Sequence, residues 1–320
     1  MRRFGSLAEL PEGPGRAVAI GAFDGVHLGH QAIIGRAVEL ARQDGLAATV
    51  LTFDPVPATV LRPDLVLDAL TGPRCKADLI ERLGVDELVT LPFTRALSLV
   101  RADRFARMLV EPPVGARAVA VGASFRFGHR GRGTAATLAE ICGPLGMAVE
   151  VPETVTTEDG VPISSSRVRG LVKQGRVGEA AAPLGRPHCV EGQVVPGEGR
   201  GRGLGIPTAN IAVPPRAALP ARGVYAGRAS IAGRGVFPAA LNVGYAPTFA
   251  AADGPRPLRL EAFLLDYEDG DLYGERVLVE FLERLREERR FDSVEALLAQ
   301  VDEDVRRTRE AALQTGPAVG

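Results

Sequence analysis

The sequence predicts an α/β domain with a Rossmann-like parallel sheet, followed by an antiparallel β domain that ends in a helix. Three observations predict this. The chain has 320 residues, long for one hydrophobic core and natural for two. In its first half, short apolar runs alternate with amphipathic helical stretches, as in a parallel sheet covered on both faces. Beyond Pro187, apolar runs follow one another through turns rich in Gly, Pro and Asp, which favours antiparallel pairing in a barrel or a sandwich. The change of character in "AAAPLGRPHC" sets the boundary at about 184, giving domains 1–183 and 184–312 and a tail 313–320.

Each element has its own signal. "RAVAIGAF" reads as a buried strand. "LGHQAIIGRAVELARQDG" reads as a helix with Ile33, Ile34, Ala37, Val38 and Ala41 on one side and Gly45 as its stop. "AATVLTF" is a second strand, "CKADLIERLG" a helix, "VDELVTLPF" a strand and "RADRFARMLVE" a helix. "GARAVAVGASF" and "GMAVEVP" add two more strands. In the second half the strands are "CVEGQVV", "GVYAGRASIAG", "GVFPAALNVG", "RLEAFLLDY" and "RVLVEFLERL". A last helix follows "RRFDS", where Asp292 and Glu295 have capping-box spacing. Its stripe of Val294, Leu297, Leu298, Val301 and Val305 predicts the face that packs on the β domain.

Composition narrows the function classes. The net charge is -1, so there is no global attraction to nucleic acid or to an anionic membrane, and any phosphate binding must be local. Of the 38 basic residues only Lys76 and Lys173 are lysine, a skew read as codon bias. Three distant cysteines, Cys75, Cys142 and Cys189, suggest neither a disulfide framework nor a zinc site. No apolar run approaches the roughly 20 residues of a membrane span, and no signal peptide is apparent, so a cytoplasmic protein is expected.

The densest chemical signal is "GAFDGVHLGH", residues 21–30, which holds two of the four histidines. A strand, a Gly-rich turn and a helix present backbone N–H groups and a positive helix end to an anion. Gly21 and Gly25 would let the chain turn, and Gly29 would admit a phosphate. His27 and His30 fall at the junction, where both rings can face one anion. The stretch is neither a P-loop nor a dinucleotide-binding glycine motif. Downstream, "ISSSRVRG" (163–170) sets three hydroxyls and two guanidiniums at a helix start, which alone is equally a plain serine cap with surface arginines.

H-x-G-H after the first strand resembles the signature of the nucleotidyltransferase superfamily, and "ISSSRVR" resembles its triphosphate-gripping segment. In the second half, "GRGLGIPTAN" (201–210), "GVY", "NVGYAPTF", "LEAFLLDYEDGDLYG" and "RLREERRF" resemble a riboflavin kinase domain. With "LTFDP", "FRFG" and "LGRP" in order, nearly the whole chain resembles the bacterial bifunctional riboflavin kinase/FAD synthetase family. The resemblance implies a nucleotidyltransferase sheet domain that adenylylates FMN to FAD, and a six-stranded barrel that phosphorylates riboflavin to FMN. ATP would be co-substrate, riboflavin and FMN the flavin partners, and Mg²⁺ the cofactor, with no nucleic acid or membrane involved.

The resemblance also implies site residues. Glu261 would be the kinase base, and His27 and His30 the catalytic pair of the adenylyltransferase. Nucleotide contacts would come from Gly21, Phe23, Asp24, Gly29, Ser124, Ser164, Ser165, Ser166 and Arg167 in the first half. In the second they would come from Gly203, Gly205, Pro207, Thr208 and Asn210, with Thr208 and Asn210 also holding the metal. Hydroxyl and amide oxygens suit Mg²⁺. Strand alternation sets Arg259, Glu261 and Phe263 opposite Leu260, Ala262 and Leu264, so from periodicity alone Glu261 is equally a solvent-facing residue. The chain departs from the family's usual pattern at Val56, Ser124, Ser166 and Phe263. Three readings follow: the full bifunctional enzyme, a kinase-competent paralogue with weak or altered adenylyltransferase activity, and a non-catalytic flavin- or nucleotide-binding regulator.

Overall fold

The computed structural model describes residues 1–197, 205–245, 258–268, 270–316 and 318. It divides into two compact units, Met1–Leu67 with Pro73–Ser164, and Asp68–Gly72 with Ser165–Gly320.

Unit one is a six-stranded sheet with β1 (Arg2–Phe4), β2 (Arg16–Ile20), β3 (Ala47–Asp54), β4 (Glu87–Pro92), β5 (Ala116–Ala120) and β6 (Ala148–Glu150). All its pairings are parallel, in the order β1-β4-β3-β2-β5-β6. Its helices are α1 (Leu28–Asp44), α2 (Pro57–Leu61), α3 (Pro73–Glu81), α4 (Arg95–Ser98), α5 (Ala102–Val110) and α6 (Ala135–Cys142). Strand alternation fills both faces. Val18, Ile20, Leu51 and Val89 meet Phe105 and Leu109 of α5 and Leu138 of α6. Ala17, Ala48 and Ala118 meet Leu40 and Ala41 of α1 on the other face. Gly45 ends α1 in the left-handed conformation at φ 66°. The edge strand β1 carries no apolar run and was not expected. It is pinned by charge: fully buried Glu87 accepts from Arg2 at 2.6 Å, from Arg16 at 2.6 Å and from Thr49 at 3.0 Å.

The winding reverses between β2 and β5: β3 and β4 lie to one side of β2, and β5 and β6 to the other. In parallel sheets, ligands bind beyond the carboxyl ends of the strands at such a switch point. The turn after β2 is the stretch "GAFDGVH".

Unit two starts with α7 (Ser165–Lys173) and α8 (Val177–Leu184). Six strands follow: β7 (His188–Val195), β8 (Ala209–Ala212), β9 (Gly223–Ile231), β10 (Gly235–Tyr245), β11 (Leu258–Leu264) and β12 (Arg276–Arg286). They close an antiparallel barrel in the order β10-β11-β8-β7-β12-β9. Its interior is filled by Ile211, Tyr225, Ala229, Leu241, Val243, Leu260, Ala262, Val279 and Phe281. β8 was not foreseen as a strand, because "TANIA" is short and follows a glycine run.

The division falls ahead of the expected boundary at 184, because α7 and α8 pack within unit two. Val168, Val172, Ala180 and Leu184 cluster with Ala218 and with Leu70. Leu70 belongs to the short segment 68–72, where the Ala69 N–H donates to the Arg216 carbonyl at 2.7 Å and the Ala218 N–H to the Ala69 carbonyl at 2.8 Å. Arg169 donates to the Asp68 carbonyl at 2.7 Å, and Lys173 pairs with the Asp68 carboxylate at 2.7 Å.

The last helix, α9 (Val294–Gln314), corrects two expectations. Its cap is Ser293, whose hydroxyl accepts from the Ala296 N–H at 3.2 Å, rather than Asp292. Its expected apolar stripe is only half used: Val294 is 49% and Leu298 36% exposed, while the buried positions are Asp304 and Thr308. Asp304 takes Arg286 of β12 at 3.0 and 2.7 Å, and Gln300 at 2.9 Å. A buried carboxylate needs a guanidinium more than the helix needs one more valine in contact. No helix among the described residues is long and apolar enough to cross a membrane. Cys75, Cys142 and Cys189 are buried, and none is in a disulfide among the described residues.

Candidate functional site

In unit one, the turn after β2 holds its shape by strain and burial. Phe23 and Val26 both have positive φ, 47° and 42°, unusual for bulky residues and for a β-branched one above all. Both are 1% exposed, so burial of their side chains offsets the strain. Gly25 turns at φ 88°. Gly21 serves differently from the expectation: a Cβ there would stand 2.9 Å from the Phe23 ring. Gly29 likewise has an internal reason, since a Cβ would press to 3.3 Å on the His27 ring.

His27 caps α1. Its Nδ1 accepts the His30 backbone N–H at 3.3 Å, which leaves the Nε2 position to carry the proton of a neutral ring. The rings of His27 and His30 stack, with centroids 3.6 Å apart and planes 18° apart. Phe23 meets His30 edge-on at 5.3 Å. Burial first, then His27 and Lys76, hold the His30 imidazole well below the usual histidine range, so this ring is neutral near pH 7. The buried Nδ1 of His30 has no hydrogen-bond partner among the described residues. The first N–H groups of α1 have no acceptor within the helix, as at every helix start. Two imidazoles and a helix end thus converge at the switch point, an arrangement suited to phosphate oxygens.

Asp24 is buried in the turn, 3% exposed. Ser124 is exposed beyond the carboxyl end of β5, the strand beside β2. Val56 directly precedes α2, its carbonyl accepting from Thr59 N and Oγ1 at 2.9 and 2.8 Å. Ser164 is the last residue of unit one, while Ser165, Ser166 and Arg167 form the first turn of α7 in unit two. The second guanidinium of that run, Arg169, is buried on the Asp68 carbonyl. Sequence reasoning missed Lys76, 7% exposed on α3, which donates to the Ala22 carbonyl of the turn at 3.2 Å. Its rarity in an arginine-rich chain was the available signal.

In unit two, β11 lies between β8 and β10. Glu261 stands opposite Asn210 on one side and Asn242 on the other. Directly opposed residues share a face, so the three form one polar row on the outer face of the barrel, with Leu260 and Ala262 turned inward. Glu261 is half-buried in this row, and Arg259 lies 3.6 Å from its carboxylate. Asn210 is 8% exposed, and any side chain at Gly197 would overlap its amide. Asn242, also missed, has a buried Oδ1 with no hydrogen-bond partner among the described residues. Gly205 turns at φ 75°, and Pro207 and Thr208 are exposed just before β8. Gly203 lies outside the described residues, as does "NVGYAPTF" beyond Tyr245.

Two families match the chain in this order, FAD synthetase over residues 10–167 and riboflavin kinase over residues 184–312. Relatives described as bifunctional riboflavin kinase/FMN adenylyltransferase span nearly the whole length. The Bacillus subtilis protein is 35% identical over 90% of this chain and 89% of its own. That of Escherichia coli K12 is 34% identical over 99% of both. The chain belongs to the bifunctional riboflavin kinase/FMN adenylyltransferase family. A crystal structure from Streptococcus pneumoniae, described as a macrolide-efflux protein, is 33% identical and aligns with a TM-score of 0.84. It covers 97% of this chain and 99% of its own, so the likeness extends through both units of this family member.

Proposed function

We propose that the chain makes FAD from riboflavin in two steps. Unit two transfers the γ-phosphoryl of ATP to the 5′-hydroxyl of riboflavin, giving FMN and ADP. Unit one joins AMP from a second ATP to the FMN phosphate, giving FAD and pyrophosphate. One observation carries the reading: a single chain of this family holds the stacked His27–His30 pair at a sheet switch point and Glu261 beside Asn210 on a barrel.

In the adenylyl transfer, an FMN phosphate oxygen attacks the α-phosphorus, and pyrophosphate leaves with the bonding electrons. Charge develops on the phosphate oxygens. The His27 and His30 rings and the start of α1 lie together where they can donate to that charge. In the kinase step, Glu261 accepts the proton of the ribityl hydroxyl as its oxygen attacks the γ-phosphorus.

Thr208 and Asn210 would hold Mg²⁺. Their hydroxyl and amide oxygens are hard donors two residues apart, and the Asn210 amide is fixed against Gly197 beside a carboxylate. The ion supplies neutralisation of phosphate charge. Gly21, Phe23, Asp24, Gly29 and Ser124 belong to the ATP site of unit one, with Ser164, Ser165, Ser166 and Arg167 as expected triphosphate ligands. Gly205 and Pro207 shape the approach to Thr208. The three reduced thiols suit a reducing compartment, and we place the enzyme in the cytoplasm.

The test is chromatographic. Purified protein with riboflavin, ATP and Mg²⁺ should yield FMN and then FAD. Glu261→Gln should slow FMN formation by about 10²–10⁴ while leaving conversion of added FMN to FAD intact. His27→Ala and His30→Ala should each slow FAD formation by about 10²–10³ and spare FMN formation. Folded wild type that yields neither flavin product overturns the reading.

A further inference from the structure

We propose that Lys76 is a positioning residue for adenylyl transfer: from α3 it braces the Ala22 carbonyl and so holds the turn that presents His27 and His30. The inference rests on the function proposed for unit one.

The composition first singles out this residue. Lysine occupies two of 38 basic positions, and only one of the two is buried. Lys173 ties α7 to Asp68 in unit two. Lys76 is buried inside unit one. A chain that writes arginine almost everywhere keeps lysine here for a steric reason. The Ala22 carbonyl has two lone pairs, and Thr52 Oγ1 already uses one at 3.2 Å. One donor position is left, on a short approach from α3. A compact ammonium fills it, whereas a planar guanidinium would bring unsatisfied N–H groups into a buried space.

The braced point adjoins the strained part of the turn. Ala22 directly precedes Phe23 at φ 47°, and Val26 follows at φ 42°. Such conformations are costly and persist only where their surroundings fix them. Thr52 from β3 and Lys76 from α3 fix the carbonyl from two elements. Burial holds the Lys76 ammonium below the usual lysine range, Asp24 in the turn and Asp54 at the end of β3 oppose this in part, and its charge in turn disfavours a proton on His30. Lys76 thus sets the backbone of the turn and helps to keep the His30 imidazole a neutral donor.

Lys76→Met, near in length and without charge or donor, tests this in the full chain. The kcat for FMN adenylylation should fall about 10²-fold, the scale of an approximately 1 Å misplacement, while KM for ATP changes little. FMN formation in the same sample should be unchanged. In ¹⁵N spectra, the His30 imidazole should titrate at higher pH than in wild type, which a merely space-filling role would not move. If Lys76→Met loses the unfolding transition of unit one, Lys76→Gln, which removes the charge but keeps a donor, tests the charge alone through the His30 titration. Wild-type kcat in a folded variant, or an unshifted His30 titration, overturns the proposal. Wild-type protein run in parallel separates the two failures. No FAD from wild type sinks the adenylyltransferase reading and this role with it; FAD made equally well by wild type and variant sinks only Lys76.

Discussion

His188 lies on β7 with 1% exposure, its Nε2–H donating to the Ala218 carbonyl across 2.7 Å. Burial pushes its pKa down to about 4, and the carbonyl bond only partly opposes this. The ring is therefore neutral in the folded barrel and protonated in the unfolded chain between about pH 6.5 and 4. In that window the unfolded state binds one more proton, so stability is full above pH 6.5 and falls as the pH drops toward 4. At one unit per 1.36 kcal/mol, the loss is roughly 3 kcal/mol. His188→Gln, which keeps a donor for Ala218 without a titrating ring, should flatten this limb. Calorimetry of the barrel transition at pH 7 and pH 4.5 checks it, and a wild-type barrel equally stable at both would show that His188 does not titrate on unfolding. The site residues of unit one are in the same class. "FDGVHLGH" was legible because two histidines at a strand–helix junction are chemically conspicuous. The contribution of Lys76 was not, because its meaning depends on which carbonyl lies across from it.

At the level of elements, strands with long apolar runs and helices with clear stops were legible: β2, β3, α1 and the five longer barrel strands all stand where the pattern put them. The elements that escaped are those held by something other than apolar periodicity. β1 is held by Glu87, which pairs in space with residues 71 and 85 positions away. β8 is short, and its identity as a strand comes from its partners β7 and β11. That partnership also places Asn210 beside Glu261, a proximity that the sequence alone could supply only through family likeness. Helix α9 shows the reverse error, an apolar stripe without the expected burial. Which face docks is open to measurement. Asp304→Ala leaves Arg286 without its carboxylate in a site where Asp304 is 4% exposed, and should destabilise the barrel by about 3 kcal/mol. Val294→Ala and Leu298→Ala, at exposed positions of the expected stripe, should each change it by less than about 0.5 kcal/mol. Urea midpoints rank the three; if the leucine variant loses more than the aspartate variant, the apolar stripe is the seam after all.

At the scale of the whole molecule, the kinase unit is assembled from two separate stretches of chain, 68–72 and the residues from Ser165 onward. That decides where the chain can be cut. The change from α/β to dense β signals suggests a cut at 185, and the riboflavin kinase match begins at 184. A fragment 185–320 would lose Val168, Val172, Ala180, Leu184 and Leu70, all at 2% exposure or less, and would leave Ala218 without its cluster. It would also lose Val177, which packs in the barrel cluster with Tyr225 and Phe281. Removal of even one buried leucine costs about 2–5 kcal/mol, against a total of about 5–15 for a domain. A fragment 165–320 restores α7 and α8 but still lacks Leu70 and the Asp68 carbonyl that accepts from Arg169. An orphaned buried donor adds about 1–3 kcal/mol to the loss. The expected order of stability and of FMN-forming activity is therefore full chain, then 165–320, then 185–320, with the shortest fragment largely unfolded at 25 °C. Circular dichroism, urea titration and riboflavin phosphorylation of the three proteins check it. A 185–320 fragment that unfolds at the same urea midpoint as the barrel of the full chain would show that α7, α8 and the segment 68–72 merely rest on the kinase fold, and that its core is complete without them.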